Sequence, residues 1–118
     1  MIELNTETDG GLYIGDYDNK QMIIAPYYET LMNYDDSVAY CLSLGALWKI
    51  PTKDELNFMY INKYLTVPTD KYNFMDEYYY TSSDCNEESV WVQNFYNGYI
   101  TNYTKEMLLY CRPIKLLG

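Results

Sequence analysis

The side chains in this sequence that could do chemistry are mostly carboxylates. Asp35-Asp36, Asp54-Glu55, Asp76-Glu77 and Glu87-Glu88 are adjacent pairs, raw material for general acid–base catalysis if one member of a pair sat in an apolar pocket. Two of the pairs stand where helices are expected to begin, and there carboxylates cap backbone N–H groups and favour the helix dipole. The chain has no histidine, so the commonest general base, the commonest metal ligand and the usual pH switch are missing. Cys41, Cys85 and Cys111 are odd in number and far apart, unlike a disulfide framework or a Cys-x-x-Cys pair. Without a histidine to activate it, no cysteine reads as a nucleophile. Ser82-Ser83 lacks a G-x-S-x-G setting and reads as a turn. The expectation is a protein that is not an enzyme, with no cofactor and no metal.

The bulk properties narrow the partners. At 118 residues the chain fits one domain, taken as 1-118. Eight basic residues against 17 acidic ones leave a net charge of −9, which opposes direct contact with nucleic acid because phosphate binding needs clustered Lys and Arg. The N-terminus lacks the basic and apolar regions of an export signal, and no apolar run is long enough to span a membrane. Synthesis in the cytoplasm without export, and no membrane partner, are therefore expected. Sixteen of the residues are tyrosines, each pairing a large apolar face with a polar tip, which suits both half-buried strands and wet binding surfaces.

The elements that must position these groups can be read along the chain. Leu12 to Ile14 and Met22 to Ala25 read as strands around an acidic, Asn-containing turn at Asp16 to Lys20. Asp35 or Asp36 can cap a first helix with Val38, Cys41, Leu42 and Leu44 on its apolar side and Gly45 as its left-handed stop. Thr52 and Glu55 form a capping-box signature for a second helix with Leu56, Met59 and Tyr60 as its stripe and Lys63 and Tyr64 near its end. Thr66 to Asp76 reads as an irregular loop. Tyr78 to Thr81 is a short strand and SSDCNEES a polar loop. Val90 to Phe95, an Asn97-Gly98 type I′ turn and Tyr99 to Tyr103 form a hairpin. A further turn at Lys105-Glu106 leads into Met107 to Pro113, completing a three-stranded C-terminal meander. This order implies an α+β fold.

Four strings carry a resemblance. LGALWKIPTKDELNFMY resembles the G…W-R-L-P-T-x-x-E-L segment of small phage and bacterial domains of unknown function grouped with the C-terminal domain of a bacterial collagen-like adhesin. GGLYIG, YYYTSSD and VWVQNFYNGYI…CRPIK match further segments in the same order, over roughly residues 9 to 115. The resemblance implies a single C-type-lectin-like domain in which the chain termini pair as strands and two helices flank small antiparallel sheets. It also implies an irregular loop over the meander. The first helix would lie on the last strand and bring Cys41 near Cys111, where extracellular lectin-like domains often carry a disulfide. Without an export signal, a reduced pair is expected. Trp48 and Trp91 fall at the family's core tryptophans.

The resemblance stops short of its best-known chemistries. The Glu-Pro-Asn loop and Trp-Asn-Asp strand of calcium-dependent sugar binders are absent, since Trp91 is followed by Val92, Gln93 and Asn94. The loop with Asp84, Asn86, Glu87 and Glu88 reads as a solvated acidic loop. Members that oxidise a substrate cysteine use two cysteines near the C-terminus, where this chain has Cys111 alone. Arg112, the sole arginine, is expected to hold an ion pair or backbone carbonyls. The surface candidates are Tyr78, Tyr79, Tyr96, Asn97, Tyr99, Asn102 and Tyr103, and alternation puts Tyr99, Thr101 and Tyr103 on one face, wet or buried.

The leading expectation is a non-enzymatic binding or assembly module, a phage-encoded accessory or virion protein recognising a protein or a glycan through aromatic residues. Membership of a homo-oligomer or a larger assembly stays open. The alternative is a small acidic intracellular inhibitor that mimics nucleic-acid charge against a host enzyme.

Overall fold

The computed structural model describes residues 3–63 and 71–118; Tyr64, at the expected end of the second helix, and the first part of the expected irregular loop lie outside them. The described residues form two α-helices and two antiparallel sheets, an α+β fold. Strands β1 (Glu7–Thr8), β2 (Gly11–Tyr17) and β3 (Lys20–Ile24) build an N-terminal hairpin, and β7 (Ile114–Leu117) adds to β3, giving the order β1-β2-β3-β7. Tyr17 pairs with Lys20 across Asp18 and Asn19, both at positive φ, the two-residue turn whose twist suits a hairpin. The two ends of the chain meet in this sheet through β3, not through the first strand. Gly11 is required by close approach, because a Cβ there would lie 2.3 Å from the Ile24 carbonyl oxygen.

Helix α1 (Tyr34–Leu44) is capped by Asn33, whose Oδ1 accepts from the Asp36 N–H at 2.9 Å. Asp35 and Asp36, the expected caps, sit instead in its first turn, the cap lying two residues before Asp35. The buried side is Ser37 and Cys41, while Val38, Leu42 and Leu44 face solvent. Approach through two small side chains lets the helix lie close on the core, which turns the bulkier stripe outward. Gly45 ends the helix at φ 141° and ψ 161°, outside the left-handed helical region.

Helix α2 (Lys53–Asn62) has the full capping box. Thr52 Oγ1 accepts from the Glu55 N–H at 3.2 Å, and Glu55 Oε1 accepts from the Thr52 N–H at 2.8 Å. A further N–H at this terminus, that of Lys53, is taken by Ser83 Oγ at 2.8 Å. Ser82 and Ser83 are therefore not turn formers. They extend β4 (Tyr78–Asp84) beyond its expected end, with the Ser82 N–H bonded to the Pro51 carbonyl.

Strands β5 (Ser89–Asn94) and β6 (Ile100–Thr104) complete a sheet of order β4-β5-β6. The segment from Met107 to Pro113 does not form its third strand. Leu109 bridges Met32, Tyr110 makes a single parallel bridge to Tyr79, and the chain crosses to β7 in the other sheet. Pro113, with no N–H to give, suits a crossing better than a ladder.

The core lies on both sides of this crossing. One cluster joins Ile14, Met22, Ile24, Leu56, Met59, Phe95 and Ile114; another joins Met32, Cys41, Ile50, Tyr80, Val90, Val92, Leu109 and Cys111. Cys41 and Cys111 are free thiols with sulfurs 3.7 Å apart. Their hydrogen bond, then burial, pushes the Cys111 thiol well above its ordinary pKa. Trp48 is buried against Tyr13, Ile23 and Ala25. Trp91 departs from its expected core place. It is half-buried on the β5 face opposite Val90 and Val92, under the Lys53 ammonium at 4.5 Å.

Candidate functional site

The seven candidate residues fall into three places and the core. Tyr79 belongs to the core, at 1% exposure. Its hydroxyl accepts from the Met75 N–H at 2.9 Å, and its ring lies 4.8 Å from Phe95 and 5.5 Å from Tyr110. It is not a surface residue because both faces of β4 are covered, so alternation there separates two buried sides.

Tyr96, Asn97 and Tyr99 occupy the loop between β5 and β6. Asn97 does not take the positive φ of a type I′ turn; Gly98 alone does, at 81°, and the loop is longer than two residues, closed by the Gly98 N–H to the Asn94 carbonyl at 2.7 Å. Two side-chain caps fix it: Asn94 Oδ1 accepts from the Tyr96 N–H at 2.7 Å and Asn97 Oδ1 from the Tyr99 N–H at 2.9 Å. Beneath it Phe95 is fully buried, edge-on to Tyr60 at 5.5 Å and stacked on Phe74 at 4.9 Å. Its carbonyl accepts from Lys63 Nζ and its N–H donates to the Glu77 carbonyl at 2.9 Å. Gln93 Nε2 ties the same loop to α2, donating to Asn57 Oδ1 at 2.9 Å and to the Gly98 carbonyl at 3.3 Å. On this base Tyr96 and Tyr99 stand 69% and 59% exposed.

Tyr78 and Tyr103 form the second place. Register puts Tyr78, Tyr80, Val90, Val92, Thr101 and Tyr103 on one face of the sheet. Helix α1, Met32 and Leu109 cover its middle; the Tyr78 and Tyr103 rings meet edge-to-face at 5.1 Å where that cover ends. Burial first, then a hydrogen bond with the Tyr78 phenol, raises the Tyr103 pKa. Beside them opens a cavity of about 210 Å³ lined by Leu31, Glu77, Tyr78, Leu108, Leu109 and Tyr110. Reading the sequence missed all of these except Tyr78, since they come from three separated segments. Asn102 is the third place. It pairs with Trp91 and is exposed on the opposite side of the sheet.

Arg112 lies under the loop that precedes β4. It has no exposed surface, donates from Nη1 to the Tyr72 carbonyl at 3.3 Å and from Nη2 to the Asn73 carbonyl, and stacks on Phe74 at 4.3 Å. Burial lowers its pKa. It thus holds carbonyls, and no ion pair with a carboxylate is formed among the described residues.

The acidic loop is self-contained. Asn86 Oδ1 accepts from the Glu88 and Ser89 N–H groups, both at 2.9 Å, and Asp84 faces Lys105 at 3.5 Å. Among the described residues no group of three or more Cys, Asp or Glu could hold a metal ion. The arrangement can present aromatic surface and accept hydrogen bonds. No family model matches this chain, and no curated protein sequence matches it.

Proposed function

We propose that the chain is a non-enzymatic binding or assembly module of lectin-like type, recognising a protein or a glycan through the β5–β6 loop and the adjoining Tyr78–Tyr103 face. The observation that carries this reading is the exposed Tyr96 and Tyr99 pair on a loop whose backbone is capped internally and plugged by Phe95. Large aromatic surface on a prearranged loop binds with little ordering cost. The lectin-like assignment and a place in a phage particle rest on the resemblance of the sequence motifs.

The test compares wild type with a Tyr96→Ala, Tyr99→Ala double variant in capture from host lysate and purified virions, alongside a glycan array with and without Ca²⁺. A partner or glycan held by wild type and released by a double variant of unchanged thermal stability is the expected result. Equal retention by both proteins overturns the reading. The net charge of −9 favours a second reading, an acidic inhibitor occupying a basic groove. It requires capture of a nuclease or polymerase that is lost at high salt.

A further inference from the structure

Building on the binding-module reading, we infer that the cavity beside Tyr78 receives a lysine or arginine side chain of a protein partner. At about 210 Å³ the cavity equals roughly seven waters at ~30 Å³ each, room for one long side chain and not for an element of structure. Its walls divide by chemistry. Leu31, Leu108 and Leu109 offer apolar surface for a methylene stem, and the same lining holds two tyrosines, Tyr78 and Tyr110, and one acidic residue, Glu77, the residue types that receive a cationic head.

No basic residue lines the cavity, and Glu77 makes no ion pair among the described residues. The lining is held in place by backbone bonds. The Tyr110 N–H donates to the Tyr78 carbonyl at 3.3 Å, the Tyr80 N–H to the Tyr110 carbonyl at 3.0 Å, and the Glu77 carbonyl accepts from the Phe95 N–H. The Tyr110 phenol is raised first by its hydrogen bond with Tyr27, and Glu77 adds to the rise, so the carboxylate is within electrostatic reach of that ring. Of the lining residues, Leu31 and Leu108 are 46% and 60% exposed, apolar surface that a partner's residues flanking the cation would cover. With three leucines among six lining residues and no basic one, the residue types suit a cation on an apolar stem better than a sugar.

The test is an NMR titration of the full chain with N-acetyl-arginine amide, N-acetyl-lysine amide and the uncharged N-acetyl-norleucine amide. The two cations are expected to shift Leu31, Tyr78, Leu108 and Tyr110 with dissociation constants of about 1–10 mM, and norleucine to leave them unmoved. Glu77→Gln, at an exposed position, should weaken the cations about fivefold with an unchanged urea midpoint, and Leu108→Ala should weaken them through the stem. Shifts spread evenly over the acidic surface, equal response to norleucine, glycan binding at these residues in preference to the cations, or no effect of Glu77→Gln overturns the inference. Partner capture through Tyr96 and Tyr99 with no cation binding here sinks this inference alone. Cation binding here with capture indifferent to Tyr96 and Tyr99 sinks the module reading alone.

Discussion

Replacing Gly98 by alanine should cost about 2–5 kcal/mol, and the cost divides into two parts that experiment can separate. The first is backbone. Gly98 sits at φ 81°, a left-handed conformation that costs an L-residue roughly 1–2 kcal/mol. The second is steric. A Cβ at this position would stand 2.6 Å from Cε2 and 2.9 Å from Cζ of Tyr60, and that ring cannot simply swing aside, being wedged edge-on against Phe95 with the Lys63 ammonium 4.7 Å over its face. Forcing such a packed ring to move typically costs about 1–3 kcal/mol. Urea unfolding followed by tryptophan fluorescence measures the sum, with m unchanged if both states keep their compactness. In a Tyr60→Ala background the ring is gone, and Gly98→Ala should cost only the backbone part, about 1–2 kcal/mol. The two substitutions should thus couple by about 1–3 kcal/mol. Equal costs in both backgrounds would refute the steric argument, and with it the claim that α2 seats the loop that presents Tyr96 and Tyr99.

Other perturbations have equally definite outcomes. Gly11→Ala forces a Cβ against the Ile24 carbonyl at 2.3 Å and Ile23 Cγ2 at 2.7 Å; with backbone unable to yield, the variant should lose more than about 3 kcal/mol, and a midpoint near wild type would contradict the β2–β3 spacing. Thr52→Ala should lower stability by about 1 kcal/mol and Thr52→Ser by far less, because the serine hydroxyl can still accept from the Glu55 N–H. The Tyr80 phenol is pushed up to about 12 by burial, against ~10 in the unfolded chain. Its contribution is fully present below pH 10 and is lost as pH rises toward 12, because the unfolded phenol releases its proton first. A Tyr80→Phe variant should show a shallower alkaline fall in urea midpoint, by at most about 2 kcal/mol across that window; an unchanged slope refutes the assignment.

What could be read from the sequence was the chemistry that is local. Thr52 and Glu55 form a capping box wherever the chain puts them, and the acidic, Asn-containing turn is where it was expected, although the strands run into the Asp16 to Lys20 span and leave Asp18-Asn19, both at positive φ, as its turn. The rest depends on which neighbours arrive from far along the chain. Tyr78 and Tyr79 are identical in type, and only the cover over both faces of β4 makes one a rim residue and the other core. On α1 apolar spacing picks out Cys41 correctly but adds Val38 and Leu42, whereas close docking over Cys111 brings Ser37 in beside Cys41 and leaves those two exposed. Asn97-Gly98 is a strong turn signal, yet the plug at Phe95 and the caps from Asn94 and Asn97 settle a longer loop. The cavity gave no linear signal, its walls being assembled from residues around 31, 77 and 109.

Strand β6 closes one side of its sheet, and among the described residues only β5 pairs with it. From Ser89 to Thr104 the sequence holds no charged residue, so this edge carries neither the lysines nor the prolines that commonly keep strand edges from joining one another. Protection falls to the molecule's overall charge of −9, which keeps copies apart in solution. Colloidal stability here is therefore a matter of acidity. Near pH 4.2, where the net charge vanishes, the Tyr-, Ile- and Thr-rich edge becomes the favoured place for copies to join strand to strand, and precipitation should begin there before the fold itself is lost.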